Sequence, residues 1–307
     1  MNKFQTRIID MAKKVNSKII LPERSDKRVQ KAIIELKDMG FDIIDIDDYQ
    51  HKMEYYVEHV DKLPFTKNWP SSQLEEYLSD SLHFSLAMVA CGDADGVIAG
   101  AVTSSSEVIR SAIRLIGINN ESKWISSIFF LISPCGNLAY TFADCAVIPE
   151  PDSQQLAVIG SDSANFHKLL SGEDARVAFL SFSTKGSAKH YRVEKVINAI
   201  SIFGKKYPNI IHDGELQLDA AIVPEISKIK APNSPVGGTA NVLIFPNLDA
   251  GNIAYKITQK LGKFSAWGPL LQGLKKPIHD LSRGCSVDDI INVAAITSMQ
   301  KDCHAYI

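Results

Sequence analysis

The 307-residue sequence has no apolar run approaching the roughly 18 residues that a membrane-spanning helix needs, and no excess of charge of either sign. Its 33 Lys and Arg face 35 Asp and Glu, a formal charge of −2. That balance gives no general electrostatic reason to bind nucleic acid or an anionic membrane. An anionic substrate would have to be held by a few placed arginines and lysines. The most apolar segment, Trp124 to Ser133, is short and reads as a buried strand. Five cysteines (Cys91, Cys135, Cys145, Cys285, Cys303) are odd in number and fall into no metal-ligand spacing, so reduced thiols and no metal are expected. Met1 to Lys18 reads as an amphipathic helix rather than a signal peptide, and the expected location is cytoplasmic.

What is present suits a globular enzyme of two domains. Hydrophobic residues make up 45% and charged residues 22%, enough to bury a large core. Lys18 to Leu21 reads as a strand. Ser25 and Asp26 offer an N-cap to a helix patterned on Val29, Ile33, Leu36 and Met39 and closed by Gly40, and Phe41 to Ile46 reads as the next strand. Strand, helix, strand at this spacing is a βαβ unit and predicts an α/β fold with a parallel sheet. The stretch 47–70 is irregular, with little structure assigned. One helix is predicted over 72–91, then a strand over 96–100. From about residue 124 the pattern changes. Two strands (124–133, 138–147) form a hairpin, followed by helices over 154–170 and 191–203, strands over 176–182 and 240–245, a helix over 252–261 and a last helix over 287–300.

Four polar segments exceed what core packing requires. Gly100 to Arg110 is a strand end, a hydroxyl-rich turn and a helix start, with Arg110 able to reach back over the turn. Exposed N–H groups and the helix dipole make such a turn a ready anion site, but spacing alone favours the plainer reading, in which Ser104 or Ser105 only caps the helix and Arg110 is solvated. Leu180 to Lys189 is another strand running into a Gly/Ser turn, without the frame of a P-loop. Asp213, Glu215 and Asp219 read as solvated loop acids in no EF-hand frame. In Asp280 to Asp289, Ser286 and Asp289 have the spacing of a capping box with aspartate in place of glutamate. Ser282 has no histidine partner for a hydrolase triad, and G-x-S-x-G is absent. His279 reads as structural or solvated.

Taken in order, GAVTSSSEVIR, FADCAVIPEPDSQQLA, LSFSTKGSAK, DGELQLDAAIVPEISKIKAPNSPVGGTANVLIFPNLDAGNIAYK and GPLLQGLKKPIHDLSRGCSVDDI closely resemble the phosphate acetyl/butyryl transferase family, the acetyl branch more than the butyryl. The match runs from about residue 18 to about residue 300. The resemblance implies a two-domain isocitrate/isopropylmalate-dehydrogenase-like architecture with the active site in an interdomain cleft. The first α/β domain would comprise 1–123 plus 273–307, and the second 124–272. It implies reversible acetyl transfer between acetyl-CoA and inorganic phosphate, giving acetyl phosphate and CoA, by direct thiolate attack in a ternary complex. No cofactor beyond these substrates, no metal, no nucleic-acid or membrane partner, and a homodimer are expected. Competing readings are butyryl transfer, a catalytically weak CoA- or acyl-phosphate-binding homologue, and a dehydrogenase on the related fold.

Carried over residue by residue, the resemblance puts the catalytic Ser-Arg pair on Ser282 and Arg283, the catalytic aspartate on Asp289 and the arginine after the Ser-rich turn on Arg110. Thr103, Ser104, Ser105, Ser106, Asn252 and Lys256 would line the substrate site. Asp289 would take the thiol proton. With ordinary values of about 3.9 for the acid and about 8.5 for a thiol, that transfer is uphill by roughly 6 kcal/mol. Either burial of Asp289 or stabilisation of the thiolate and oxyanion by Arg283 must close the gap. The family's CoA-associated arginine, expected in a stretch before the 72–91 helix, is absent. That stretch reads Lys62 to Trp69, where Lys67 offers a point charge instead of a fork.

Overall fold

A computed structural model of the chain describes residues 2–301. Cys303 and the rest of 302–307 lie outside the described residues. The chain separates into two units, dividing at Asn120/Glu121 and Trp267/Gly268, where the sequence pattern puts the first division at 123/124 and the family resemblance implies the second at 272/273. Among the described residues no helix is long and apolar enough to cross a membrane. Cys91, Cys135, Cys145 and Cys285 are all free thiols.

The first unit is built on a four-stranded parallel sheet in the order Ile278–Asp280, Gly96–Ala99, Lys18–Ile20, Asp42–Ile43. Its strands are short and mostly buried on both faces, as parallel strands between helices must be. Helix Lys27–Asp38 starts where Asp26 accepts from the amides of Arg28 and Val29, and turns Val29, Ala32, Ile33 and Leu36 inward. Helix Val287–Met299 buries every residue from Ile290 onward, so its lack of an apolar stripe follows from being enclosed on all sides.

Three predicted elements differ. The strand over 41–46 is only Asp42–Ile43, because Asp45 caps a 3₁₀ turn over Ile46–Lys52. The supposedly irregular stretch holds that turn and helix Met53–Asp61, whose Tyr56 and Val60 are buried. The helix over 72–91 is two helices, Ser71–Ser79 and Ser81–Ala90. They are broken at Asp80, whose extended backbone (ψ 129°) lets its carboxylate cap the second helix through the amides of Leu82 and His83.

The second unit carries a sheet in the order Ile211–Leu216, Arg176–Leu180, Val242–Ile244, Ala139–Ala143, Ser126–Ile132, Ser265–Gln272, the unit boundary falling within the last. The first four strands pair in parallel, and the predicted hairpin supplies the antiparallel pair, with Phe130 opposite Thr141. A core of Phe129, Leu131, Phe142, Ala178, Leu180, Leu216, Leu243 and Phe245 fills one face. The strand Ile211–Leu216 is not evident from the sequence pattern, and with it goes the placement of two acids. Asp213 and Glu215 are 7% and 3% exposed rather than solvated loop residues, whereas Asp219 is half-exposed and paired with Lys230 at 2.6 Å. The acids and the glycine hid the strand's apolar pattern.

Candidate active site

The site residues of the first unit are set out along three segments. Leu21 to Arg28 leaves strand Lys18–Ile20, Gly100 to Ser106 leaves strand Gly96–Ala99, and Leu281 to Ser286 leaves strand Ile278–Asp280. All three strands are parallel, so their C-terminal ends lie on one edge of the sheet, where α/β proteins place ligands. Backbone bonds continue the register past the last strand, the Leu281 amide donating to the Ala99 carbonyl at 2.7 Å.

The Ser-rich turn is organised by a residue that no sequence motif singles out. The Glu23 carboxylate, 8% exposed, accepts from the amides of Ala101 (2.7 Å), Val102 (3.1 Å) and Thr103 (2.6 Å). The predicted anion nest therefore holds an internal carboxylate at its first three amides. Ser104 is the N-cap of helix Ser105–Leu115, accepting from the Glu107 amide, and its hydroxyl lies 3.0 Å from that of Ser106. Cap and turn are both real. What remains for a ligand is the rim, the hydroxyls of Thr103 to Ser106 rather than the inner amides.

Under the turn lies Asp280, 1% exposed. Burial raises its carboxyl to about 6, opposed by a hydrogen bond from Ser105 and reinforced by the nearby Glu23. Gly100, at φ +102°, makes room for it, since a Cβ there would stand 2.2 Å from Asp280 Oδ1 and 2.7 Å from the Leu281 nitrogen.

Arg28 joins the segments. One guanidinium nitrogen, Nη2, donates to Asp26 (2.8 Å) and to the Ala101 carbonyl (3.0 Å). The other, Nη1, donates to the carbonyls of Arg283 (2.8 Å) and Cys285 (3.0 Å). The Asp26 carboxyl drops to about 2 because Arg28 bonds it. Glu23, Asp26 and Arg28 fall within six residues, a stretch that the sequence pattern shows only as a strand end and an N-cap.

Ser282 and Arg283 are exposed on the resulting turn, which closes with the Cys285 amide on the Ser282 carbonyl at 2.8 Å. The Arg283 guanidinium pairs with no carboxylate among the described residues, its carbonyl being the part that Arg28 holds. Cys285 is buried beside Arg28, and burial pushes its thiol up. Asp289 forms the capping box with Ser286, its Oδ2 accepting from the Ser286 amide (2.9 Å) and hydroxyl (2.8 Å). Oδ1 carries none of these bonds, so capping occupies one oxygen and leaves the other. Arg110, 54% exposed, is held by Glu107 at 2.7 Å instead of reaching back over the turn.

Asn252 and Lys256 belong to the second unit, on helix Leu248–Lys260. Asn252 donates to the Cys145 carbonyl at 3.1 Å, and the Lys256 ammonium lies 5.8 Å from the centroid of Tyr255, which itself stacks on Phe129. Gly251 lets the helix approach, because a Cβ would meet the Asp144 carbonyl at 2.2 Å. The Asp144 carboxylate gathers the Ser127 amide and hydroxyl and the amides of Ala146, Val147 and Ile148. Burial pushes that carboxyl up while these donors pull it back. In the turn after strand Arg176–Leu180, Glu215 accepts from the Gly186 amide (2.7 Å) and the Ser183 hydroxyl (3.0 Å). Lys185 is ion-paired with Asp213, so the turn has neither free inner amide nor free lysine at that position.

The family model for phosphate acetyl/butaryl transferase matches residues 34–298. The phosphate acetyltransferase of Acetivibrio thermocellus is 41% identical, over 97% of this chain and 98% of that one. That of Bacillus subtilis is 47% identical over 74% of this chain and 70% of its own. The structure of EutD phosphotransacetylase from Staphylococcus aureus superimposes with a TM-score of 0.87 at 37% identity, covering 97% of this chain and 99% of that chain.

Proposed function

The chain belongs to the phosphate acetyl/butaryl transferase family, and from that premise we propose that it is a phosphate acetyltransferase, moving an acetyl group reversibly between acetyl-CoA and inorganic phosphate. The observation that carries this reading is that the Ser282–Arg283 turn and Asp289 of the acetyltransferase motif stand at one sheet edge with an unpaired arginine and an uncommitted carboxylate oxygen.

In the direction of acetyl-CoA synthesis, the CoA thiol gives its proton to Asp289 Oδ1. Its sulfur attacks the carbonyl carbon of acetyl phosphate, the carbon–oxygen bond to phosphate breaks, and the leaving phosphate takes the proton from Asp289 as it departs. The capping box fixes Oδ2 and so aims Oδ1. Arg283 stabilises the thiolate and then the tetrahedral oxyanion. Ser282 donates to the phosphate or to that oxygen, and Arg110, on swinging from Glu107, offers its fork to the phosphoryl oxygens. Arg28, by holding the carbonyls of Arg283 and Cys285, pre-sets the turn. Thr103 to Ser106, Asn252 and Lys256 stay in the proposal as substrate-lining residues. So do the dehydrogenase-like two-domain arrangement with an interdomain cleft, the homodimer, the cytoplasmic location and the lack of a metal or added cofactor. Their support is the motif resemblance.

The test is CoA-dependent arsenolysis of acetyl phosphate, wild type beside Asp289→Asn, with butyryl-CoA as competitor. Robust acetyl transfer that collapses in the variant supports both reaction and base. A wild type that binds CoA but transfers nothing overturns the reading.

A further inference from the structure

Two carboxylates near the Ser-rich turn are satisfied by strong donors, Glu23 by three amides and Asp26 by Arg28. Asp280 is not. It ends strand Ile278–Asp280 almost fully buried, and its Oδ1, lying against Gly100, has no hydrogen-bond partner among the described residues. Its one side-chain donor is the hydroxyl of Ser105, an exposed residue of the rim. Ser104 and Ser106 lie against each other, so Ser105 is the hydroxyl of the three that is tied inward.

The charges around Asp280 do not offset its own. Glu23, of like sign, is the charged group that acts on it. Arg28 is turned to Asp26 and to the carbonyls of Ala101, Arg283 and Cys285. On helix Ser105–Leu115, Glu107 and Arg110 pair with each other. Helix Val287–Met299 has no charged residue after Asp289, and His279 is turned to the Leu271 amide and Gln300. A carboxyl in such surroundings favours its acid form. Burial and Glu23 hold it up, to about 6, despite the Ser105 bond.

A hydroxyl has one proton to donate and lone pairs to accept with. Bonded to a carboxylate, Ser105 must donate inward, and only lone pairs face an anion at the rim. Bonded to a carboxylic acid it accepts, and its own proton is free to point outward. We propose that Asp280 is a positioning residue for the phosphoryl group, its acid form donating to Ser105 Oγ and so turning the Ser105 proton out to a phosphoryl oxygen. This rests on the Ser-rich turn lining the phosphate site, as proposed above. Anion binding then draws a proton onto Asp280.

The experiment is calorimetric titration of wild type, Asp280→Asn and Ser105→Ala with sulfate, alongside steady-state acetyl transfer. Sulfate mimics phosphate but keeps its charge between about pH 5 and 8, so any pH dependence belongs to the protein. Wild type is expected to bind it about tenfold more weakly at pH 8 than at pH 5. Asp280→Asn, whose amide donates to Ser105 at every pH, should bind tightly throughout. Ser105→Ala should bind weakly and lose most of the pH dependence. The KM for acetyl phosphate should follow the same three patterns. A dependence fully kept in Asp280→Asn would belong to another group, and one fully kept in Ser105→Ala would mean that Asp280 acts by charge alone. Either result overturns the inference, as does a wild type that binds sulfate equally at all pH values or not at all. Loss of acetyl transfer from the wild type, with the sulfate pattern intact, strikes the acetyl-transfer reading instead. Ser105 is exposed, so its variant keeps the test decisive even if Asp280→Asn fails to fold.

Discussion

As sequence, the Gly100–Ser106 turn of the first unit resembles the Ser181–Lys189 turn of the second, each a strand end opening into small hydroxyl residues beside cations. Both are also alike in structure, because each has inner amides bonded to a buried glutamate, Glu23 in one and Glu215 in the other. They differ in what surrounds the plug. Around the first, Arg28 pairs with Asp26 and holds the carbonyls of Ala101, Arg283 and Cys285, while the Arg283 guanidinium on the adjoining turn pairs with no carboxylate among the described residues. Around the second, Lys185 is neutralised by Asp213, and its ammonium also donates to the Gly214 carbonyl at 2.8 Å. A Gly/Ser turn is thus not a ligand site by virtue of its amides. What separates the two is that Arg28 ties the first turn to the adjoining Arg283–Cys285 turn, whereas Lys185 ties the second to Asp213.

The comparison breaks most visibly if the first turn's neighbourhood proves inert. Asp289→Asn should lower kcat by about 10² to 10⁴, measured in the phosphorolysis of acetyl-CoA, with its fold intact by circular dichroism. Arg283→Gln should cost about 10² to 10³ in kcat with smaller changes in the Michaelis constants. The opposite split would make Arg283 a binding group.

Removing the two plugs sharpens the contrast. Glu23→Ala and Glu215→Ala each strand buried donors, and each should lower unfolding stability by about 2–4 kcal/mol in denaturant melts. Only Glu23→Ala should also lower kcat of the folded fraction, by several-fold. Equal effects on kcat would erase the distinction.

A pH series adds a subtler difference. Burial holds Asp280 up to about 6, above its value in an unfolded chain, so the folded state keeps a proton that the unfolded state has released. The stability this contributes is complete below about pH 4 and is lost as pH rises through about 6, at most about 3 kcal/mol. Asp280→Asn should flatten stability over that window. In the second unit Asp162, pushed to about 7 by burial, has the same sign over a window reaching about pH 7, and Asp162→Asn should flatten that one. The smallest kinetic change is expected from Lys185→Met, which should leave kcat/KM within about twofold while lowering stability by about 3 kcal/mol, because it leaves the buried Asp213 carboxylate without its cation.

The pattern of apolar residues disclosed the parallel sheets, the hairpin and most helices, since Val, Ile and Leu at strand and helix spacing leave few alternatives. It missed strand Ile211–Leu216 because burial of Asp213 and Glu215 depends on partners distant in sequence, Lys185 and Ser183. It merged two helices because a break at Asp80 requires only one extended residue and no proline or glycine. At the site, motifs located Ser282, Arg283 and Asp289, and the Ser286–Asp289 spacing disclosed the cap. Neither disclosed that one carboxylate oxygen stays free of it, which is a matter of geometry. Glu23, Arg28 and Asp280 were legible only as residues, since their roles arise where three strand ends converge.

The strand Ile278–Asp280 has a further meaning for how the protein is made. It pairs with Gly96–Ala99, and helix Val287–Met299 closes the same sheet, while the second unit is nearly contiguous from Glu121 to Trp267. A chain emerging from the ribosome therefore meets the partners of the second unit first. The half-built first sheet must wait, its Gly96–Ala99 edge unpaired, until Ile278–Asp280 has been made. The Ser282–Arg283 turn follows that strand, so it takes its place only once the sheet that carries it is complete.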